Sequence, residues 1–165
     1  DSGTFDYFKE VVAGKKGTIR SDMSVSEDDN VLVRGVAGDE GAIGFFGAAY
    51  YFENEDSLKA VPIRNKAGKN VLPSATTIEN GTYNPFSRPL FIYVKAGSAR
   101  KPYVRAFVHF YLKNAAEAAR EVGYVGLPEA IYQRATKAFN TGRTGSAFLD
   151  EKGEKKSGPI TELYK

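Results

Sequence analysis

Phe5, Phe8, Val11 and Val12 recur at helical spacing near the start of the chain, which predicts a helix from about Thr4 to Val12 that stops at Ala13-Gly14. Asp28 or Asp29 is placed to cap a second helix with Val31, Leu32 and Val36 as apolar members, and Gly35 and Gly38 help to end it. The run Ala42 to Gly47 is too short for a buried helix and reads as a buried strand, its glycines admitting close approach. Ala48 to Phe52 returns to helix. Leu58 to Ile63 is apolar at alternate positions and reads as a strand. The polar stretch Arg64 to Pro73 predicts a loop, and Ser74 caps a short helix through Ile78 that ends at Asn80-Gly81. Leu90 to Val94 is a compact apolar strand following Pro85 and Pro89.

The longest pattern begins at Pro102, a favourable first helical residue. Val104, Phe107, Val108, Tyr111, Ala115, Ala118, Ala119 and Val122 share one face, which predicts a core-facing stripe, and Gly123 ends it. Pro128 starts a further helix with Ile131, Ala135 and Phe139 inward. From Gly142 onward the chain is rich in Gly, Ser, Lys and Glu, and a partly mobile tail is expected.

Composition changes this picture little. With 42% hydrophobic and 26% charged residues, the 165-residue chain has material for a core and no disordered signature. No stretch approaches the roughly 20 apolar residues that span a bilayer as a helix. Cysteine is absent, which excludes disulfides, thiolate metal sites and a cysteine nucleophile. The net charge of +3 comes from basic residues interleaved with acidic ones, so nucleic acid is not an expected partner.

Candidate chemistry gathers at Ser2-Gly3-Thr4, just ahead of the first helix. The first amides of a helix lack intrahelical partners, and the dipole there favours anions. Glycine permits close approach and the flanking hydroxyls donate, so the tripeptide can cradle an oxyanion. The competing reading is an ordinary N-cap by Ser2 or Thr4. No catalytic or metal set stands out. His109 is the only histidine and lies on the flank of a core stripe, Glu27-Asp28-Asp29 lacks the alternation of a calcium loop, and Gly142 to Ser146 lacks the Lys-Ser/Thr of a phosphate loop.

Five segments then occur in one order: SGTFDYF at the start, SEDDNVLVRGV (Ser26 to Val36), GAIGFFGAAYY (Gly41 to Tyr51), GTYNPFSRPLFIYV (Gly81 to Val94) and KAFNTGRTGSAF (Lys137 to Phe148). The series resembles the C-terminal part of the phosphate-binding proteins of the phosphate-specific ABC transporter, the PstS type. That resemblance implies an α/β, type II periplasmic-binding-protein fold with two lobes and a hinge, present here as an incomplete C-terminal half. Residues 1–85 would belong to the lobe carrying the cradle. Residues 86–165 would hold the hinge crossing, at about Pro85 to Val94, and part of the other lobe.

The implied function is non-covalent capture of inorganic phosphate in an interlobe cleft and its delivery to ABC transporter permease subunits. A phosphate-ester-processing enzyme and a non-transport binding or adhesion protein on the same fold stay open as alternatives. Ser2, Gly3 and Thr4 are the phosphate-binding residues that the resemblance carries over. Arg20 is a candidate replacement for a basic residue that some members place shortly before the tripeptide, its planar fork suiting phosphate, against a plain surface role. Asn30 is a candidate amide donor, against a helix-capping role. The aspartate that accepts a hydrogen bond from protonated phosphate would lie in an N-terminal segment outside this chain, present as a second chain or as part of a longer protein. No cofactor or metal is implied. The implied compartment is periplasmic or extracellular, membrane anchoring through the absent N-terminal part being left open.

Overall fold

A computed structural model of the chain describes residues 2–156 and 158–165. It divides into two compact units, one ending at Pro62 and the other starting at Ile63.

The first unit holds three helices: α1 (Gly3–Ala13), α2 (Asp29–Ala37) and α3 (Ala48–Phe52). Their starts follow the expected chemistry. Ser2 caps α1, its Oγ accepting from the Phe5 amide at 3.3 Å, and Asp28 caps α2, its Oδ1 accepting from the Asn30 amide at 2.9 Å. Gly35 lies inside α2 and Gly38 is the C-cap. Helices α2 and α3 pack together with Val33 and Ala49 buried. The expected buried strand over 42–47 does not form: the segment lies outside helix and strand, and Ile43 is 82% exposed. A strand needs a neighbour for its amides and carbonyls, and among the described residues none is offered here. The segment crosses α2 instead. Gly44 makes that crossing possible, because a Cβ there would sit 2.7 Å from Cγ2 of Val36.

The second unit opens with a hairpin, β1 (Ile63–Arg64) against β2 (Asn70–Val71), antiparallel with Ile63 opposite Val71. The strand expected over 58–63 thus contributes only its last residue, and the expected 64–73 loop is a hairpin turn. Asn65 organises it. Its side chain is buried, Oδ1 accepts from the amides of Ala67 and Lys69 at 3.0 Å each, and Nδ2 donates to the Thr82 carbonyl at 3.1 Å. Helix α4 (Ala75–Glu79) follows, with Ser74 and Thr77 forming a reciprocal capping box. Gly81 (φ +71°) then turns the chain where a Cβ would press to 3.0 Å from Pro159 Cα.

Residues 90–94 form no strand either, and Leu90 and Tyr93 are 70% and 90% exposed. Helices α5 (Pro102–Glu121) and α6 (Glu129–Asn140) pack against each other, burying Val108 and Ile131. The α5 stripe is therefore mostly uncovered: Phe107 is 63% exposed and Val122 60%, because α6 covers only the part of the face around Val108. The tail contains more structure than its composition suggests. Leu149 bridges Lys155, and a short α7 (Ile160–Leu163) has its Thr161 and Tyr164 carbonyls held by Nη1 of Arg134 at 3.4 and 2.7 Å. Phe148 stacks on Tyr164 and meets Phe91 edge-on, with centroids 5.9 and 4.9 Å away.

Candidate functional site

The oxyanion cradle expected at Ser2-Gly3-Thr4 stands at the N-terminus of α1. Ser2 has extended backbone (φ −96°, ψ 117°), which aims its carbonyl down the helix to accept the Asp6 amide at 3.1 Å. With Ser2 Oγ taking the Phe5 amide, the Gly3 and Thr4 amides have no acceptor among the described residues. Those two donors, the Ser2 hydroxyl proton and the Thr4 hydroxyl form a donor-rich end. Ser2 and Thr4 are half-buried while Gly3 is exposed, so an anion can reach the main chain from the glycine side. Asp6, also in the first turn and exposed, complements the same dipole and competes electrostatically with an arriving anion.

What fixes this helix in place was not anticipated. Phe8 stacks on Phe45 with ring centroids 3.9 Å apart and planes 5° from parallel, and Phe5 lies 6.3 Å from the same ring. Phe45 belongs to the irregular 42–47 segment, so α1 is held by an aromatic clamp. The signal was present in the GFFG run, where an aromatic pair between two glycines can swing a ring toward a neighbouring helix.

Arg20 is engaged elsewhere. Its Nε and Nη2 donate to Oδ1 and Oδ2 of Asp22 at 2.8 and 2.6 Å, a two-pronged pair on open surface. The guanidinium holds the Asp22 carboxyl below the usual aspartate range, and the carboxylate in turn raises Arg20. Asn30 is the second residue of α2, exposed, its backbone amide tied to the Asp28 cap. Among the described residues no hydrogen bond or ion pair joins Arg20 or Asn30 to Ser2, Gly3 or Thr4. Asp29, beside Asn30, has its carboxyl pushed up by partial burial and by the neighbouring Asp28 charge. Among the described residues no group of three or more His, Cys, Asp or Glu could hold a metal, and no helix is long and apolar enough to cross a membrane.

Comparison with known proteins bears on what such a cradle serves. A family model described as the PBP superfamily domain matches residues 1–115. Protein SphX of Synechococcus elongatus is 53% identical over 100% of this chain and 48% of its own length. The phosphate-binding protein PstS of Staphylococcus haemolyticus is 39% identical over 79% of this chain and 40% of its own length. A crystal structure titled as a possible phosphate binding protein from Planctomyces limnophilus superposes with a TM-score of 0.73 at 41% identity, over 87% of this chain and 51% of that one. The chain thus spans about half the length of the curated relatives it matches.

Proposed function

This chain belongs to the PBP superfamily and carries part of the type II periplasmic-binding-protein fold, and from that premise we propose that it binds inorganic phosphate non-covalently for delivery to an ABC transporter permease. One observation carries the reading: the Gly3 and Thr4 amides at the N-terminus of α1 have no acceptor among the described residues and are flanked by two hydroxyls, in a chain whose relatives include proteins named for phosphate binding. Affinity would arise from exchanging the hydration of the anion for fixed donors, each charge-assisted bond contributing about 1.5–3 kcal/mol net. No bond is made or broken. A phosphate-ester-processing enzyme would need a nucleophile, metal cluster or base converging on the cradle, and the relatives named here support binding and not turnover.

Residues 1–85 are proposed to belong to one lobe and 86–165 to the hinge crossing and the second lobe. An N-terminal segment, supplied as a second chain or as part of a longer protein, would bring the opposing hydroxyls and the acidic acceptor. Exposed apolar side chains at Ile43, Leu90, Phe91 and Tyr93 support such a covering segment. The compartment proposed is periplasmic or extracellular. Arg20 would join the anion only by leaving Asp22, and Asn30 through its exposed amide. Calorimetric titration with phosphate and with sulfate, beside a turnover assay on a phosphate ester, tests the reading. Phosphate binding without turnover is expected; ester hydrolysis that is lost on Thr4 substitution would replace binding with catalysis.

A further inference from the structure

Helices α5 and α6 bring basic side chains to a common cleft. Lys101, Arg105, His109 and Lys113 recur every fourth residue along α5, about 6 Å apart along its axis. Between Arg100 and Arg143 eight Lys and Arg stand against three Glu, in a chain whose net charge is only +3. The stripe borders an open cleft of about 600 Å³ lined by His109, Lys113, Gln133, Lys137, Asn140 and Thr141 among others. The cleft therefore has an ammonium group from each helix, Lys113 of α5 and Lys137 of α6, beside hydrogen-bonding groups and a largely apolar lining to which Leu112 and Tyr132 contribute.

Its donors are held in position. Asn140 Oδ1 accepts from Arg105 Nη2 at 3.3 Å and stands 2.9 Å from His109 Nε2, so that nitrogen carries the proton and the Asn140 amide N–H groups are left for the cleft. Both side chains of this corner meet Phe139: the Arg105 guanidinium lies over its ring, 5.6 Å from the centroid, and the His109 ring meets it edge-on at 5.8 Å. Lys113 and Lys137 make no ion pair among the described residues. Glu129 is the one carboxylate lining the cleft, and it accepts from Gln133 Nε2 at 3.4 Å.

We propose that this α5–α6 cleft binds a compact, multiply charged phosphate compound of the condensed-phosphate class, at a site distinct from the Ser2–Thr4 cradle. A concave cleft with cationic side chains from both helices and hydrogen-bonding groups at Asn140 and Thr141 suits a small ligand with several ionised oxygens better than a flat bilayer. Ammonium groups on both helices favour a ligand of two or more charges over a singly charged ion, because each further charge-assisted contact adds to the attraction. The proposal stands independently of phosphate binding at the cradle.

The test is titration of tripolyphosphate into the protein at low salt, repeated in Thr4→Val so that any share of the cradle is told apart. Saturable binding is expected under those conditions, weakened about tenfold or more in Lys113→Gln/Lys137→Gln and falling with added salt. Both lysines are exposed and free of structural bonds, so the double variant should keep the circular dichroism and melting of the parent. Arg105→Gln, which removes a donor from the Asn140 corner, should weaken binding as well. No saturable binding, or binding unchanged in the lysine double variant, overturns the proposal. So does binding to phosphatidylglycerol vesicles in the absence of any tripolyphosphate binding.

Discussion

The ring of Phe45 lies flat on that of Phe8, 3.9 Å between centroids and 5° between planes. This contact ties the helix bearing the oxyanion cradle to a segment more than thirty residues later in the chain. Phe45→Ala should therefore lower stability by about 1–3 kcal/mol, less than for a fully buried ring because both rings are only partly covered. Amide exchange within α1 should accelerate more than exchange within α5. Equal acceleration everywhere would mean that the clamp has no local role.

Ser2 and Thr4 separate capping from binding. Ser2→Ala removes the oxygen that takes the Phe5 amide and should cost about 1 kcal/mol in denaturant unfolding. Thr4→Val keeps the helix start and removes only a hydroxyl. In a protein that binds phosphate it should weaken the affinity by about 1–3 kcal/mol with little change in stability. Unchanged affinity in titration would reduce Thr4 to a bystander.

Acid reports on the Arg20–Asp22 pair. Because Asp22 titrates below its ordinary range, the contribution of the pair is complete above the unfolded-state aspartate range and is lost as pH falls through the depressed value. Following the Asp22 carboxyl carbon by NMR should show this low midpoint, and Arg20→Gln should move it up toward the ordinary range, the backbone hydrogen bond to the carboxylate still holding it down in part. A midpoint indifferent to the substitution would show that the two-pronged contact does not persist in solution.

Asn65→Ala removes one donor and two accepted bonds from a buried site, and an expected loss of about 1–3 kcal/mol follows. Asn65→Asp keeps both accepted bonds but deprives the Thr82 carbonyl of its donor, so it should lie between the two. If Asp destabilises more than Ala, the burial of charge outweighs the retained bonds.

The cradle by itself should be weak. It is one donor-rich end with Gly3 open to water, where bonds to an anion replace hydration and the dipole is screened. The isolated 165-residue chain is expected to bind phosphate in the millimolar range, on the order of −4 kcal/mol. Micromolar binding by the monodisperse chain would show that the donors described here suffice.

Helix starts were the most readable part of the sequence. Ser2, Asp28, Ser74, Pro102 and Pro128 each mark a helix within a residue or two, because capping is a local reaction between a side chain and amides two or three positions on. Strands were not readable in the same way. Residues 42–47 and 90–94 have strand composition but no partner among the described residues, and pairing is a property of two segments. The uncovered face of α5 has the same cause, since periodicity says which residues want burial but not what covers them. At the candidate site the tripeptide was legible. The Phe45 clamp and the Asp22 partner of Arg20 were not, because both depend on how loops return.

Leu90-Phe91-Ile92-Tyr93-Val94 is a run outside helix and strand whose amides and carbonyls form no main-chain hydrogen bond among the described residues. Uncharged, β-branched and aromatic, such a run is competent to nucleate aggregation by adding to any other extended chain. Only Arg88 and Pro89 on one side and Lys95 on the other act as gatekeepers. Encounters between copies are second order in concentration, whereas capture by a covering segment of the same molecule is first order. Soluble yield should thus be decided by dilution and by the order in which segments meet, more than by the equilibrium stability of the helices.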